Sequence, residues 1–343
     1  MAMNTYGGPG NLNPTTARAA KELLDVIGPM LALDPFAKVM PVPPNSTDTQ
    51  IFSRPVIPDS DTTPAAEGVN KPPRTMVFEQ VQVQIDEYEE TFSFSSKQME
   101  LGEFGDQLIQ VSKDVLAEYV NQIREEVGFA AYRAGSNVYY NSNSITARSS
   151  VNGPITLGRL DLADRFLKNN RGQFINKAAS GAMQQGTVPM PPSWVAFGHT
   201  DLASDLRAIP GYREAAEVGG LKLATIHWAG SVRNIAFVLS PHFKPIIDSG
   251  AAVGSTGMRS TSGSNIDVYP IVLVSKDSIA RLSFKGSGKG GYGGFKINVL
   301  DGADKSDPNN KRVYVGGRWY DKPFILRDAG VIRIEVGVTA NPS

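Results

Sequence analysis

The sequence predicts an α+β protein with one long helix, a long β-hairpin and a β-rich C-terminal return. The helix is read from Glu103 to Ala134. Phe104, Leu108, Val111, Val115, Tyr119, Ile123, Val127 and Ala130/Ala131 recur every three or four residues, which places them on one helical face. Asp106, Gln110, Lys113, Asp114, Gln122, Arg124 and Glu125 fill the other face, and Gly135 stands where a left-handed cap ends a helix. Such a rod is about 48 Å long at ~1.5 Å per residue. It therefore reads as a brace whose apolar stripe is buried.

The hairpin is read between Gln50 and Ser95. Gln50–Ile57 is a strand that Pro55 confines to an edge. Pro58–Arg74 is a proline-rich, irregular tip that includes Glu67-Gly68. Thr75–Ile85 then alternates, with Val77, Val81, Val83 and Ile85 on one side and Gln80, Gln82 and Gln84 on the other; Tyr88, Phe92 and Phe94 continue the pattern. Two strands alone are marginal in water, so the apolar side is expected to be covered by another subunit. The β-rich return comprises Ile279–Phe284, Gly294–Val299, Lys311–Tyr320 and Val331–Val338.

Between and before these lie shorter elements. Met1–Asn13 is polar and Gly/Pro-rich and reads as an extended arm held by a neighbour; a helix follows over Thr15–Ile27, and Pro41–Thr49 is a linker. Val138–Tyr140 is a short strand. Leu157–Asn170 is a helix with Thr156 as N-cap and Ile155 stapled onto Leu160. Trp194–Phe197 reads as a buried strand and Asp201–Ala208 as a short helix. Leu221–Trp228 and Val232–Leu239 are strands separated by Ala229-Gly230-Ser231, and Val268–Ser275 is another. Ser249–Asn265 is Gly/Ser-rich and expected to be mobile.

Composition narrows the function. At 343 residues with 41% hydrophobic and 20% charged, the chain is globular. Its 34 basic and 34 acidic residues cancel, which argues against a dedicated nucleic-acid binder relying on a basic face. It has no cysteine, which removes disulfides, thiolate metal sites and cysteine nucleophiles. No apolar run approaches the ~20 residues of a membrane span, and the N-terminal stretch lacks the pattern of a secretion signal.

Candidate chemistry is thin. Gly286, Gly288 and Gly291 satisfy G-x-G-x-x-G, but the following Phe295–Val299 is strand-like, whereas a dinucleotide turn must open a helix. Lys289 is followed by Gly290, so the phosphate-loop pattern also fails. His199, His227 and His242 show no metal-ligand spacing, and Thr200 and Asp201 read as ordinary cap and first-turn residues. No carboxylate pair stands in an apolar context that suggests acid–base catalysis. The sequence implies no catalytic residue, cofactor or metal.

The order of arm, hairpin, long helix, central α/β region and β-rich return resembles the tailed-bacteriophage major capsid proteins of the Hong Kong 97 phage type, in style nearest the podophage group typified by coliphage N4. Trp194–Arg207 is similar to that family's strand, His turn and helix, with Thr200 in place of its usual proline. Asp267-Val268-Tyr269 with Asp277–Ala280, Asp307-Pro308 with Trp319, and Ile332-Arg333-Ile334-Glu335 resemble its later motifs. The Glu217–Gly220 turn and the Gly/Ser-rich Ser249–Asn265 depart from it.

The resemblance implies a virion shell subunit, assembled in the bacterial cytoplasm into hexamers and pentamers around packaged double-stranded DNA. It also implies possible scaffolding, portal and decoration partners and no membrane. Its divisions are an N-terminal arm and helix (1–48), an extended loop (49–95), a peripheral domain with a spine helix (96–137 and 277–343) and an axial domain (138–276). Val77, Val81, Val83, Ile85, Glu67 and Gly68 are then inter-subunit contacts. Leu108, Val111, Val115, Tyr119, Ile123 and Val127 are the spine's core face. The competing expectations are a cytosolic α+β enzyme with an unrecognised site and a surface adhesin.

Overall fold

A computed structural model describes residues 31–43, 47–68, 70–96, 105–175, 192–215, 228–254, 256–284, 296–302 and 307–340. The expected arm Met1–Asn13, the helix Thr15–Ile27, most of the expected strand Leu221–Trp228, His227 and the Gly286–Gly291 loop lie outside these residues. In chain order the elements begin β1 (Lys38–Val42), β2 (Thr49–Val56), β3 (Val77–Gln84), β4 (Asp86–Ser95) and α1 (Gly105–Tyr132). They continue with β5 (Val138–Tyr140), α2 (Leu157–Asn169), β6 (Trp194–Gly198), α3 (Ala203–Arg207), β7 (Tyr212–Glu214), β8 (Trp228–Val232) and β9 (Ile235–Leu239). The last are β10 (Tyr269–Val274), β11 (Ile279–Phe284), β12 (Lys296–Leu300), β13 (Arg312–Ile325) and β14 (Val331–Val336).

The chain packs as two compact units whose boundaries fall within β4, α1 and β13. In the smaller unit, β12 pairs antiparallel with the first half of β13, from Lys296↔Arg318 to Leu300↔Tyr314. Val313 and Val315 are buried there. A Cβ on Gly316 would come within 3.1 Å of the Thr91 hydroxyl, so the backbone approach itself favours glycine.

The larger unit is organised on a seven-stranded mixed sheet of order β5-β14-β10-β6-β9-β8-β7. Its central strands read as unbroken apolar runs because both faces are covered. Trp194, Ala196, Phe237, Ile271 and Leu273 pack on one side, with Leu160, Ala163 and Leu167 of α2. Val195, Phe197, Val238, Val272 and Val274 pack on the other, with Phe129 and Tyr132 of α1 and with Ala32, Leu33, Phe36 and Ala37. Ile155 and Leu160 share the first cluster, as the staple requires, but the Thr156 side chain makes no capping hydrogen bond.

Several boundaries differ from the sequence reading. β1 lies partly in the expected linker and runs parallel to β11 from Lys38↔Ala280 to Val42↔Phe284; Pro41 masked it as a strand. The turn between β8 and β9 falls at Arg233-Asn234, with Arg233 at φ 51°, and Ala229-Gly230-Ser231 belong to β8. His199, not Thr200, caps the short 3-10 turn Thr200–Leu202 that leads into α3: its Nδ1 accepts the Asp201 N–H at 3.1 Å.

The described residues between 249 and 265 are also held more tightly than their composition suggests. The fully buried Asp267 carboxylate accepts hydrogen bonds from the backbone N–H of Asp248 and of Thr261 and from the Thr261 hydroxyl. Asn265 N–H donates to Asp248, and Ala251 N–H donates to Val151 C=O. Gly/Ser composition does not reveal that a buried carboxylate just beyond the loop, Asp267, organises it.

Candidate assembly surface

The hairpin is a two-stranded antiparallel sheet in register from Thr49↔Gln84 to Val56↔Val77. Directly paired residues share a face. One face therefore carries Phe52, Arg54 and Val56 opposite Val81, Glu79 and Val77. The other carries Ile51 and Pro55 opposite Gln82 and Phe78.

The first face changes character along its length. At the base, Val83 is 6% exposed and packs with Val42, Ala280, Leu282 and Phe324; Phe52, Val81 and Ile85 flank that cluster. Phe52 stacks on Phe324 with ring centroids 5.6 Å apart. Next along the hairpin comes the exposed Arg54–Glu79 ion pair. Beyond it Val56 and Val77 are open, with Val77 61% exposed. Ile57 and Met76 beyond the strands, and Ile51 and Phe78 on the opposite face, are exposed too.

This corrects the expectation that the whole apolar side lacks local cover. Val81, Val83 and Ile85 have partners in their own chain, whereas Val56 and Val77 at the outer end are exposed among the described residues. The reason is β1, whose Val42, inside the expected linker, supplies part of the cover.

The tip is ordered by polar contacts. Asp61 accepts from Lys71 at 2.9 Å and from the Thr63 N–H at 3.0 Å. The Lys71 contact, helped by Thr63, holds the Asp61 carboxyl below its usual range. Arg74 donates to the Asp59 carbonyl. Glu67 and Gly68 form an exposed turn with Gly68 at φ 77°, a backbone conformation that suits glycine.

On α1 the deepest burial falls one or two residues beyond the expected stripe. Leu116, Val120, Glu125, Phe129 and Tyr132 are buried, whereas Val111, Val115, Ile123 and Val127 are half-buried and Tyr119 is 38% exposed. Nothing is described of the Leu108 side chain. The helix carries two adjacent apolar rows, and an arc that wide lets periodicity find the helix without fixing its centre. The larger Leu116, Phe129 and Tyr132 take the interior.

Sequence reasoning also missed a buried charged group. Arg281, 1% exposed, forms ion pairs with Asp34 and, at 3.3 Å, with Asp321; Arg124 pairs with Asp34 at 3.0 Å. Glu125, also 1% exposed, accepts from the N–H groups of Ala32 and Leu33 at 2.9 and 3.0 Å. The available signal was Arg281 itself, an arginine inside the otherwise inward-reading run Ile279–Phe284. Among the described residues no group of acids and histidines could hold a metal ion, and no helix is long and apolar enough to cross a membrane.

Solved structures share this architecture. The capsid of Ralstonia phage GP4 superposes with a TM-score of 0.66 over 100% of both chains at 14% identity. The fold is that of a bacteriophage capsid protein. The capsid of cyanophage Pam1 matches with a TM-score of 0.60, covering 99% of this chain and 100% of that one at 12% identity. The SrpI encapsulin of Synechococcus elongatus matches at 0.54 over 96% of each chain, with 10% identity. No protein-family profile and no curated protein sequence matches the chain.

Proposed function

We propose that this chain is the major capsid protein of a tailed bacteriophage, the repeating subunit of an icosahedral head shell that encloses double-stranded DNA. The observation that carries the reading is the end-to-end likeness to phage capsid subunits, with no large part of either chain left over. The outer hairpin supports it, since a contiguous apolar patch left exposed among the described residues marks a protein contact.

In this reading α1 is the spine helix and the hairpin is the extended loop. The chain divides into the arm (1–48), extended loop (49–95), peripheral domain (96–137 and 277–343) and axial domain (138–276), in the style of the N4-like podophage group. Val77, Glu67 and Gly68, with Val56, Ile57, Met76 and Phe78, contact the adjacent subunit within hexamers and pentamers. Tyr119 and the half-buried row Val111, Val115, Ile123 and Val127 form a second apolar strip closed on assembly. The subunit performs no catalysis. It meets packaged DNA without sequence preference and adjoins scaffolding, portal and decoration proteins; assembly takes place in the host cytoplasm.

Sedimentation and electron microscopy of the purified full-length protein test the proposal. Closed shells of megadalton size are expected. A monomer or dimer that forms no shells under any assembly condition, including co-expression with its phage's other head proteins, overturns it.

A further inference from the structure

The segment 31–43 enters the larger unit over a buried acid. Ala32 and Leu33 are fully buried, and their N–H groups both donate to Glu125 Oε1. Glu125 Oε2 has no hydrogen-bond partner among the described residues. Asp34 approaches from the segment itself, Arg281 from β11, Asp321 from β13, and Arg124 and Tyr132 from α1. Two guanidinium groups thus face three carboxyls, and the cluster carries one negative charge in excess if all three ionise. A buried excess charge is costly, and a bound proton removes it.

We propose that residues 31–43 form a pH-sensitive clip that seats on protonated Glu125 and loosens when that carboxyl ionises. Burial is the main influence and Asp34 adds to it; together they raise Glu125 from an ordinary 4.5 to about 7, against the opposing pull of Arg281 and the two N–H donors. With the segment lifted away, Glu125 regains water and returns toward its ordinary value. The seated state therefore binds the extra proton between those values, so seating is favoured at low pH and weakens as pH rises through about 7. Between pH 6 and pH 8 this linkage changes the seating equilibrium about tenfold. The proposal does not depend on the capsid reading.

Amide hydrogen exchange in the full-length protein tests it, read at Leu33, Phe36 and Ala37 and divided by the intrinsic rate at each pH. Protection about tenfold greater at pH 6 than at pH 8 is expected in the wild type. In Glu125→Gln, which keeps the carbonyl acceptor but cannot ionise, the difference should vanish. Equal wild-type protection at the two pH values, or an undiminished difference in Glu125→Gln, overturns the proposal. Should Glu125→Gln fail to fold, infrared spectroscopy of the wild type decides the matter. A buried protonated carboxyl band present at pH 6 and lost by pH 8 is expected, and its absence at pH 6 overturns the clip.

Discussion

The seven-stranded sheet and the hairpin are both rich in valine and isoleucine, yet they use them differently. In the sheet, Val195, Val238 and Val272 are sealed by α1 and by the segment 31–43. In the hairpin, Val83 is sealed while Val77, six residues away on the same face, is open. Apolar sequence alone therefore does not locate a core. What differs is how much of the same chain lies within reach, and the Arg54–Glu79 pair stands between the two regimes.

The largest loss of stability is expected within the sheet. Phe237→Ala removes a fully buried ring and should cost about 3–5 kcal/mol, read as a large fall in melting temperature or as loss of soluble protein. A near-neutral result would show that the sheet is not the core. At the hairpin base, Val83→Ala should destabilise the unassembled subunit by about 1–2.5 kcal/mol. A melting curve unchanged from wild type would return the whole apolar side to the assembly contact.

A third test concerns pH. The folded-state value for Glu125 is raised, so its contribution favours the fold below about pH 7 and is lost as pH rises through it. Denaturant unfolding should show about 1.4 kcal/mol more stability at pH 6 than at pH 8 from this group, a difference that Glu125→Gln flattens.

The smallest effect on the fold is expected at the outer hairpin. Val77→Ser with Phe78→Ser should alter subunit stability by only about 0.5 kcal/mol, as exposed substitutions do, while sedimentation shows shells reduced or lost. Normal shells from that double variant would remove the hairpin end from the assembly surface.

Much of the fold was legible in the residues. The run Tyr269–Val274, the alternation through β3 and β4 and the three-and-four spacing along α1 each reflect a strong local period, and those elements form. Less legible was whatever depended on distant partners. The centre of the α1 burial arc is decided by what packs on it, so the stripe through Val111 and Tyr119 lies one or two residues away from the buried row. β1 is stabilised by parallel pairing with β11, whose partner residues lie 242 positions later in sequence. The Glu125 site joins Ala32, Arg281 and Asp321, and no short window contains them. Of the expected contact residues, Val77, Glu67 and Gly68 are exposed, whereas Val83 is buried at the hairpin base because Val42 and Phe324 cover it.

The parallel pairing of β1 with β11 also has a mechanical side. Tension drawn along the axis of β1 loads all five residue pairs from Lys38↔Ala280 to Val42↔Phe284 together, in shear, instead of peeling them one by one. Shear resists force far better than peeling because several hydrogen bonds must break in a single event. A subunit whose N-terminal side is tethered elsewhere can thus carry tensile load through this strand into the C-terminal half of β13, which pairs along the other edge of β11.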